Sequence, residues 1–361
     1  MDSGVLVVFV LGLILLIGGA EALVRGASGL AAQMGVPSLI IGLTVVAFGT
    51  GSPELAVGVR AASLGQVDLA VGNVVGSNIF NVLFILGLSA VIRPISVHHQ
   101  LVRIDVPIMI LVSGLLFFLS LDGRISRLDG LVLLAGMVAY STLLIQLGRR
   151  QRIVTPAPAI DVGRAGGRWA WVRNGALVLS GLVLLVMGSN WLVRGAVAIA
   201  GALGVSELVI GLTVVAAGTS LPEVATTVVA GLRGERDIAV GNVVGSNIYN
   251  ICAVLGISTL FAPHGLEVAS AALRFDIPVM VVVAISCLPI FFAYGMIMRW
   301  EGALFFGYWC AYTAYVILLA SQHDGLAGYS RVMRFFVMPL TVTTLTVVLY
   351  RAIRRKRRDS G

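Results

Sequence analysis

Long apolar runs separated by short polar turns set the pattern of this chain. A helix needs about 20 mostly apolar residues to cross a bilayer. Runs of that kind predict spans near 4–32, 39–63, 68–91, 103–121 and 128–147. A polar stretch rich in Arg, Pro and Gly follows, from Gly148 to Arg173. Spans resume near 174–202, 208–232, 238–261, 272–294 and 300–320. A shorter run, Phe335 to Tyr350, lies between Arg334 and Arg351 and predicts an eleventh span, with an interfacial helix as the alternative.

The pattern repeats. Leu39 to Pro94 reads LIIGLTVVAFGTGSPELAVGV, a short polar turn, then DLAVGNVVGSNIFNVLFILGLSAVIRP. It returns at Leu208 to Pro263 as LVIGLTVVAAGTSLPEVATTV, then DIAVGNVVGSNIYNICAVLGISTLFAP. Gly42 and Gly211, Glu54 and Glu223, Ser77 and Ser246, and Pro94 and Pro263 are each 169 residues apart. Five spans is an odd number, so the second repeat enters the membrane from the opposite side, the inverted-repeat plan of many secondary transporters. The expected fold class is an all-α polytopic membrane protein of two inverted five-helix repeats, ten core transmembrane helices, plus an eleventh C-terminal helix. The expected divisions are 1–147 (first repeat, motif 39–94), 148–173 (basic cytoplasmic linker), 174–320 (second repeat, motif 208–263) and 321–361 (extra helix and basic tail). RIDVP at Arg103 to Pro107 also echoes RFDIP at Arg274 to Pro278. Asp105 and Asp276 sit near the ends of apolar runs, where helix-end pairing or capping is the expected role.

Composition agrees with a membrane location. Of 361 residues, 58% are hydrophobic and 12% charged, against about 25% charged in soluble domains. A formal charge of +8 could suggest nucleic acid, but basic residues in a membrane protein mark cytoplasmic loops. With the N-terminus outside and eleven spans, inside segments hold 17 Lys and Arg and outside segments 6. This predicts a multi-pass protein of the plasma (inner) membrane, N-terminus outside and C-terminus cytoplasmic, with the lipid bilayer as partner. No nucleic acid and no obligate protein partner is expected. The basic tail Arg354 to Arg358 reads as a topology anchor that could also touch anionic lipid. Cys252, Cys287 and Cys310 lie in apolar runs at no disulfide or zinc spacing, and read as buried inert thiols. Met1 to Ala20 lacks a basic leader, and Arg25-Gly26 matches Arg194-Gly195, so the segment is expected to be retained as part of the repeat.

Each repeat places a Glu, Glu54 or Glu223, inside an apolar run, and an ionisable residue at membrane depth marks a functional site by default. In GTGSPE, Pro53 lacks an N–H, so the carbonyl near Gly49 loses its helical donor. Freed carbonyls at membrane depth are tolerated where they face protein or line a cavity. GTSLPE repeats the device with Gly218 and Pro222. Thr50 and Glu54 are four apart and so share a helix face, as do Thr219 and Glu223. In GNVVGSNIFN and GNVVGSNIYN, Ser77 with Asn81 and Ser246 with Asn250 are likewise four apart. Asn73, Asn78, Asn242 and Asn247 read equally as helix glue or as site residues. The whole set is oxygen, with two carboxylates. Such a set suits a hard cation: calcium takes 6 to 8 oxygen ligands. Two Glu match one divalent or two monovalent ions, and without His or Cys a softer metal is not expected.

GLTVVAFGTGSPE with GNVVGSNIFN, occurring twice, resembles the two alpha-repeats of the cation/calcium exchanger superfamily, and is most similar to those of prokaryotic sodium/calcium exchangers. The GNA-before-Glu signature usual in proton-coupled members is absent. The resemblance implies a midplane cluster of cation sites, with calcium and sodium as transported ions and no cofactor. It implies a calcium site of Glu54, Glu223 and the Thr50 and Thr219 carbonyls. It implies an outer sodium site of the Ala216 carbonyl, Thr219, Ser220, Glu223 and Ser77, and an inner one of the Ala47 carbonyl, Thr50, Glu54 and Ser246. Asn81 and Asn250 would flank the centre. It also implies alternating access by sliding of spans one and six against the rest. Two departures stand out. Gly51 replaces the usual Ser, present in the second copy as Ser220, and Ser52 points elsewhere. Asn250 stands where some members carry Asp.

The expected function is sodium/calcium antiport by alternating access, not an enzymatic reaction. The alternative is calcium/proton exchange on the same fold, with Gly51 weakening sodium ligation. An intramembrane aspartyl protease built on Asp105 and Asp276 would need a GxGD-type motif, which is absent. A non-transporting sensor or scaffold gives no reason for the duplicated Thr–Pro–Glu geometry.

Overall fold

In the computed structural model the chain is a bundle of long helices; the structure describes residues 3–154, 168–205, 207–210, 213–214, 216–323, 325–344, 346 and 350. Helices follow from the apolar runs, because in lipid every backbone polar group must be satisfied within the segment. Among the described residues eight helices are long and apolar enough to cross a membrane. Ser38–Thr50 with Ser52–Ser63, bent by 45°, makes a ninth if it is one span. The remaining expected core span, 208–232, contains 211, 212 and 215, which lie outside the described residues; its described parts are Glu207–Ile210, Ala216–Gly218 and Leu221–Arg233.

Elements recur at the spacing of the sequence repeat. Val67–Phe80 leads into a π-helical turn Asn81–Leu86, as Arg236–Tyr249 leads into Asn250–Leu255. Ile95–Ser96 pairs antiparallel with Met296–Ile297, and Arg124–Ile125 with Leu266–Glu267. These pairings fix direction. Ile95–Ser96 precedes the helix Leu101–Leu119 and Arg124–Ile125 follows it. Leu266–Glu267 precedes the matching helix Ala272–Ala293 and Met296–Ile297 follows it. The start of each helix therefore lies beside the end of the other, and the two run in opposite senses.

The centre of the bundle is Arg236–Phe261, whose most apolar stretch is wholly buried, together with Val67–Ile92. Around them lies the larger hydrophobic core, including Leu43, Val74, Ile79, Val243, Ile248 and Val254. A second core lies against Ser3–Met34 and Arg168–Ala202, around Leu16, Leu23, Val178 and Leu185. Small residues let these two helices approach closely. A Cβ on Gly12 would stand 2.5 Å from the Leu192 nitrogen, and one on Gly188 2.5 Å from that of Leu16. Gly19 and Gly181 repeat the contact, at 2.8 Å from the Leu185 nitrogen and 2.6 Å from that of Leu23. Where this pair meets the rest, Glu21 bonds Arg233 at the end of Leu221–Arg233, and also Arg25. The matching positions, 169 residues away, are Asn190 and Leu64, which cannot form an ion pair.

Several expectations need correction. The linker is helical at both ends, since Arg127–Val154 and Arg168–Ala202 run past the spans; 155–167 lie outside the described residues. Asp105 and Asp276 do not cap helices. Tyr140 donates to Asp105 at 3.0 Å with Gln100 at 3.2 Å, and Tyr312 donates to Asp276 at 2.8 Å. Each Asp is thus pinned by a tyrosine of the following long helix. Cys252 and Cys287 are buried, but Cys310 is exposed on its helix. The C-terminal helix starts at Leu326 rather than 335, and its Thr341 is bonded by Tyr308 at 2.5 Å. The basic tail 351–361 lies outside the described residues.

Replacing Gly12 or Gly188 by Val forces this helix pair apart. Overpacking costs about 1–3 kcal/mol, so the thermal midpoint of either purified variant is expected to fall by several degrees, whereas exposed Gly18→Ala, which has open space at its Cβ, leaves it unchanged.

Candidate functional site

Two breaks and two asparagine-bearing helices build the site. Helix Ala47–Thr50 ends at Gly51 and Ser52–Ser63 restarts with Pro53 in its first turn, where a missing N–H is tolerated. The second break lies at Thr219 and Ser220, before Leu221–Arg233 with Pro222. The break does not leave the Gly49 carbonyl free, as the proline alone suggested. Backbone N–H groups at the helix end reach both the Ala47 and Gly49 carbonyls, Gly51 N donating to Ala47 at 3.1 Å. Ala216 opens the short turn Ala216–Gly218 just ahead of the second break.

The break also redirects the threonine. Thr50 donates to Asn242 Oδ1 at 3.1 Å and lies beside Glu223, and Thr219 donates to Asn73 Oδ1 at 3.5 Å and lies beside Glu54. Each threonine therefore faces the carboxylate of the other half rather than its own, contrary to the shared helix face expected from spacing. Ser52 is exposed and bonds the Phe48 carbonyl, so it does not stand in for a serine at 51.

The four central asparagines are braces. Asn73 donates to the Glu54 carbonyl at 3.4 Å and Asn242 to that of Glu223 at 3.5 Å. Asn78 and Asn247 donate to each other's backbone carbonyls at 3.2 and 3.4 Å. Asn81 and Asn250 then donate to the Asn247 and Asn78 side-chain oxygens at 3.0 and 3.1 Å. With both amide groups engaged as donors, the Asn81 and Asn250 oxygens are turned away as free acceptors. Both residues begin π-helical turns, a feature that recurs at functional sites.

The two halves differ in how their carboxylates are met. Ser220 donates to Glu54 Oε1 at 2.8 Å, its oxygen lies 3.1 Å from Ser77 Oγ, and Ser77 approaches Glu54 Oε1 at 3.5 Å. Ser77 and Ser220 thus gather on Glu54, not on Glu223 as the resemblance implied. At the matching place Gly51 has no side chain. Glu223 is left with neither carboxylate oxygen hydrogen-bonded, and Ser246 Oγ has no partner. Glu54 Oε2, Asn81 Oδ1 and Asn250 Oδ1 are also without partners. Glu54 and Glu223 are each 1% exposed and interact electrostatically with one another. Buried acceptors are normally paired, and two uncompensated carboxylates in an apolar interior are costly. An oxygen cluster of net charge −2 with this surplus of acceptors is suited to cations. Among the described residues no cluster of three or more His, Cys, Asp or Glu occurs, so two carboxylates and neutral oxygens are what the site offers.

Asn73, Asn78, Asn242 and Asn247 read equally as glue or site residues from sequence; here their side-chain oxygens as well as their amide donors are engaged within the protein, which favours glue. Tyr249, in contact with Gly51, was not singled out from the sequence; its one signal is that it replaces Phe80 of the first copy.

Comparisons with known proteins agree on one relationship. A family model described as sodium/calcium exchanger protein matches residues 4–146 and 174–318. Inner membrane protein YrbG of Escherichia coli K12 is 40% identical over 283 residues, 76% of this chain and 85% of that protein. Sodium/calcium exchanger MaX1 of Methanosarcina acetivorans is 33% identical over 347 residues, 86% of this chain and 97% of that protein. A solved structure of the sodium/calcium exchanger from Methanococcus jannaschii matches with a TM-score of 0.74 at 32% identity, covering 86% of this chain and 97% of that one.

A ligand held at about 100 times its Kd stabilises the folded state by about 2.7 kcal/mol. Calcium is therefore expected to raise the thermal midpoint of the purified protein, and Glu54→Gln or Glu223→Gln to remove that rise. Asn73→Ala is expected to lower the midpoint without calcium while keeping most of the calcium-dependent rise.

Proposed function

The chain belongs to the sodium/calcium exchanger protein family, and from that membership and the site's geometry we propose that it exchanges sodium for calcium across a membrane by alternating access. As a family member it is a multi-pass cation/calcium antiporter and not an enzyme. The observation that carries the ion assignment is the pair of buried glutamates among partnerless acceptor oxygens. One calcium, or two sodium ions, neutralises the pair, so loading one kind of ion displaces the other.

In this reading calcium lies between Glu54 and Glu223, with the Thr50 and Thr219 carbonyls and with Asn81 and Asn250 flanking. One sodium uses Ser77, Ser220 and Glu54, with Thr219 and the Ala216 carbonyl. The second uses Ser246 and Glu223, with Thr50 and the Ala47 carbonyl. The groups that meet at Glu54 support the first set, since two hydroxyls already converge there. The two inverted halves, 1–147 and 174–320, would expose these sites alternately to either side. Sliding of Ser3–Met34 with Arg168–Ala202 against the rest would be the moving step; their separate hydrophobic core supports it. The N-terminus would lie outside and the C-terminus in the cytoplasm of a plasma membrane, as the distribution of basic residues suggests.

Calcium/proton exchange is the second reading. Glu223, with both oxygens unpaired, needs a cation or a proton, and Gly51 offers sodium no hydroxyl.

Radioactive-calcium uptake into sodium-loaded proteoliposomes, with a proton ionophore present, separates the two. Uptake is expected to need the outward sodium gradient and to survive the ionophore. Uptake indifferent to sodium and driven by an imposed pH gradient would replace this reading with the proton-coupled one.

A further inference from the structure

Gly51 and Tyr249 form one unit. A Cβ on Gly51 would lie 2.8 Å from Tyr249 Cδ1 and 2.9 Å from Cε1. The tyrosine ring therefore occupies the space in which a serine side chain at 51 would start. The ring has no easy way to step aside, being 1% exposed and packed on Phe48 with ring centroids 4.6 Å apart.

The positions 169 residues away carry the converse pair. Ser220 matches Gly51 and Phe80 matches Tyr249. Phe80 stacks on Phe84 at 4.6 Å and meets Trp309 edge-on at 5.9 Å. The serine hydroxyl then reaches Glu54 and Ser77. Each pair takes one residue from each half: Ser220 with Phe80 supplies a serine hydroxyl and a ring without one, and Gly51 with Tyr249 supplies no serine and a ring with a hydroxyl. The Tyr249 hydroxyl is buried without a hydrogen-bond partner and interacts electrostatically with both Glu54 and Glu223. A buried phenol left unpaired costs stability and calls for a reason. Ser246 Oγ and both Glu223 oxygens are buried in the same repeat, likewise without hydrogen-bond partners.

Building on the sodium/calcium reading, we propose that Tyr249 is a specificity-determining residue of the second monovalent-cation site, its phenolic oxygen replacing the hydroxyl that Gly51 lacks. The first site combines one carboxylate, Glu54, with the hydroxyls of Ser77 and Ser220. The second combines Glu223 with the hydroxyls of Ser246 and Tyr249. The phenolic oxygen serves as a neutral donor to the cation, so each site has one carboxylate and two hydroxyls. Calcium, held by both carboxylates, depends little on it.

Tyr249→Phe removes one oxygen and keeps the ring that fills the space beside Gly51. In proteoliposomes of the full chain, the sodium concentration for half-maximal calcium exchange is expected to rise about fivefold or more, the loss of one neutral contact. The sodium Hill coefficient falls with it, while calcium-dependent thermal stabilisation stays as in the parent. The double variant Gly51→Ser with Tyr249→Ala, which restores the serine and clears its space, recovers the parent's sodium dependence. Unchanged sodium dependence in Tyr249→Phe would overturn the proposal, as would equal loss of sodium dependence and calcium stabilisation, the mark of a packing role. A parent protein that ignores sodium would instead remove the exchange reading itself, and the proposal with it.

Discussion

Two carboxylates buried at the meeting point of two broken helices impose a demand that the rest of the structure answers. Among the described residues neither Glu54 nor Glu223 has a basic partner, and together they leave three of four oxygens without a donor. The asparagine braces worsen that shortage by design: their amide groups are spent on one another and on backbone carbonyls, so that Asn81 and Asn250 present only oxygen. An interior arranged this way is stable when a cation, or a proton, supplies the missing positive charge. Nothing covalent is required of the site. On the proposed reading, its work is to hold a shell of oxygens whose charge fits either of two loads.

Duplication explains how one chain builds such a shell. Pairings such as Thr50 to Asn242 and Thr219 to Asn73 cross from one half to the other, so neither half forms the site alone. The crossed strand pairs set the halves in opposite senses and fix their register. Departures from symmetry then carry the information about function. Gly51 opposite Ser220 and Tyr249 opposite Phe80 alter the donors on one side of the centre. Glu21 with Arg233 ties the outlying helix pair to the bundle at one end, and the matching positions Asn190 and Leu64 do not repeat that ion pair at the other. That tie favours the conformation in which it forms.

Much of this was legible in the chain. Apolar run lengths gave nearly every long helix, because in lipid a long apolar segment has little choice but to be helical. The repeat offset located the glutamates, threonines and serines that gather at the centre. What spacing could not give was which half serves which carboxylate. Thr50 and Glu54 are four apart, but the break at Gly51 turns Thr50 toward Asn242. Ser220 sits with Glu54 for the same reason: contacts across an inverted interface leave no trace in local periodicity. The split role of the asparagines was likewise undecidable, since donor and acceptor ends of an amide separate only in three dimensions. Polar linker composition hid the helical ends at 148–154 and 168–173, where a charged helix surface resembles a loop.

The central claim is that sodium and calcium share the oxygens of one buried site. Equilibrium binding of radioactive calcium to the purified protein, at rising sodium with ionic strength held constant by a large organic cation, tests it most directly. The account predicts saturable calcium binding whose apparent Kd rises steeply with sodium while its capacity stays fixed. Calcium binding that sodium leaves untouched, or that sodium reduces in capacity without changing affinity, would contradict it.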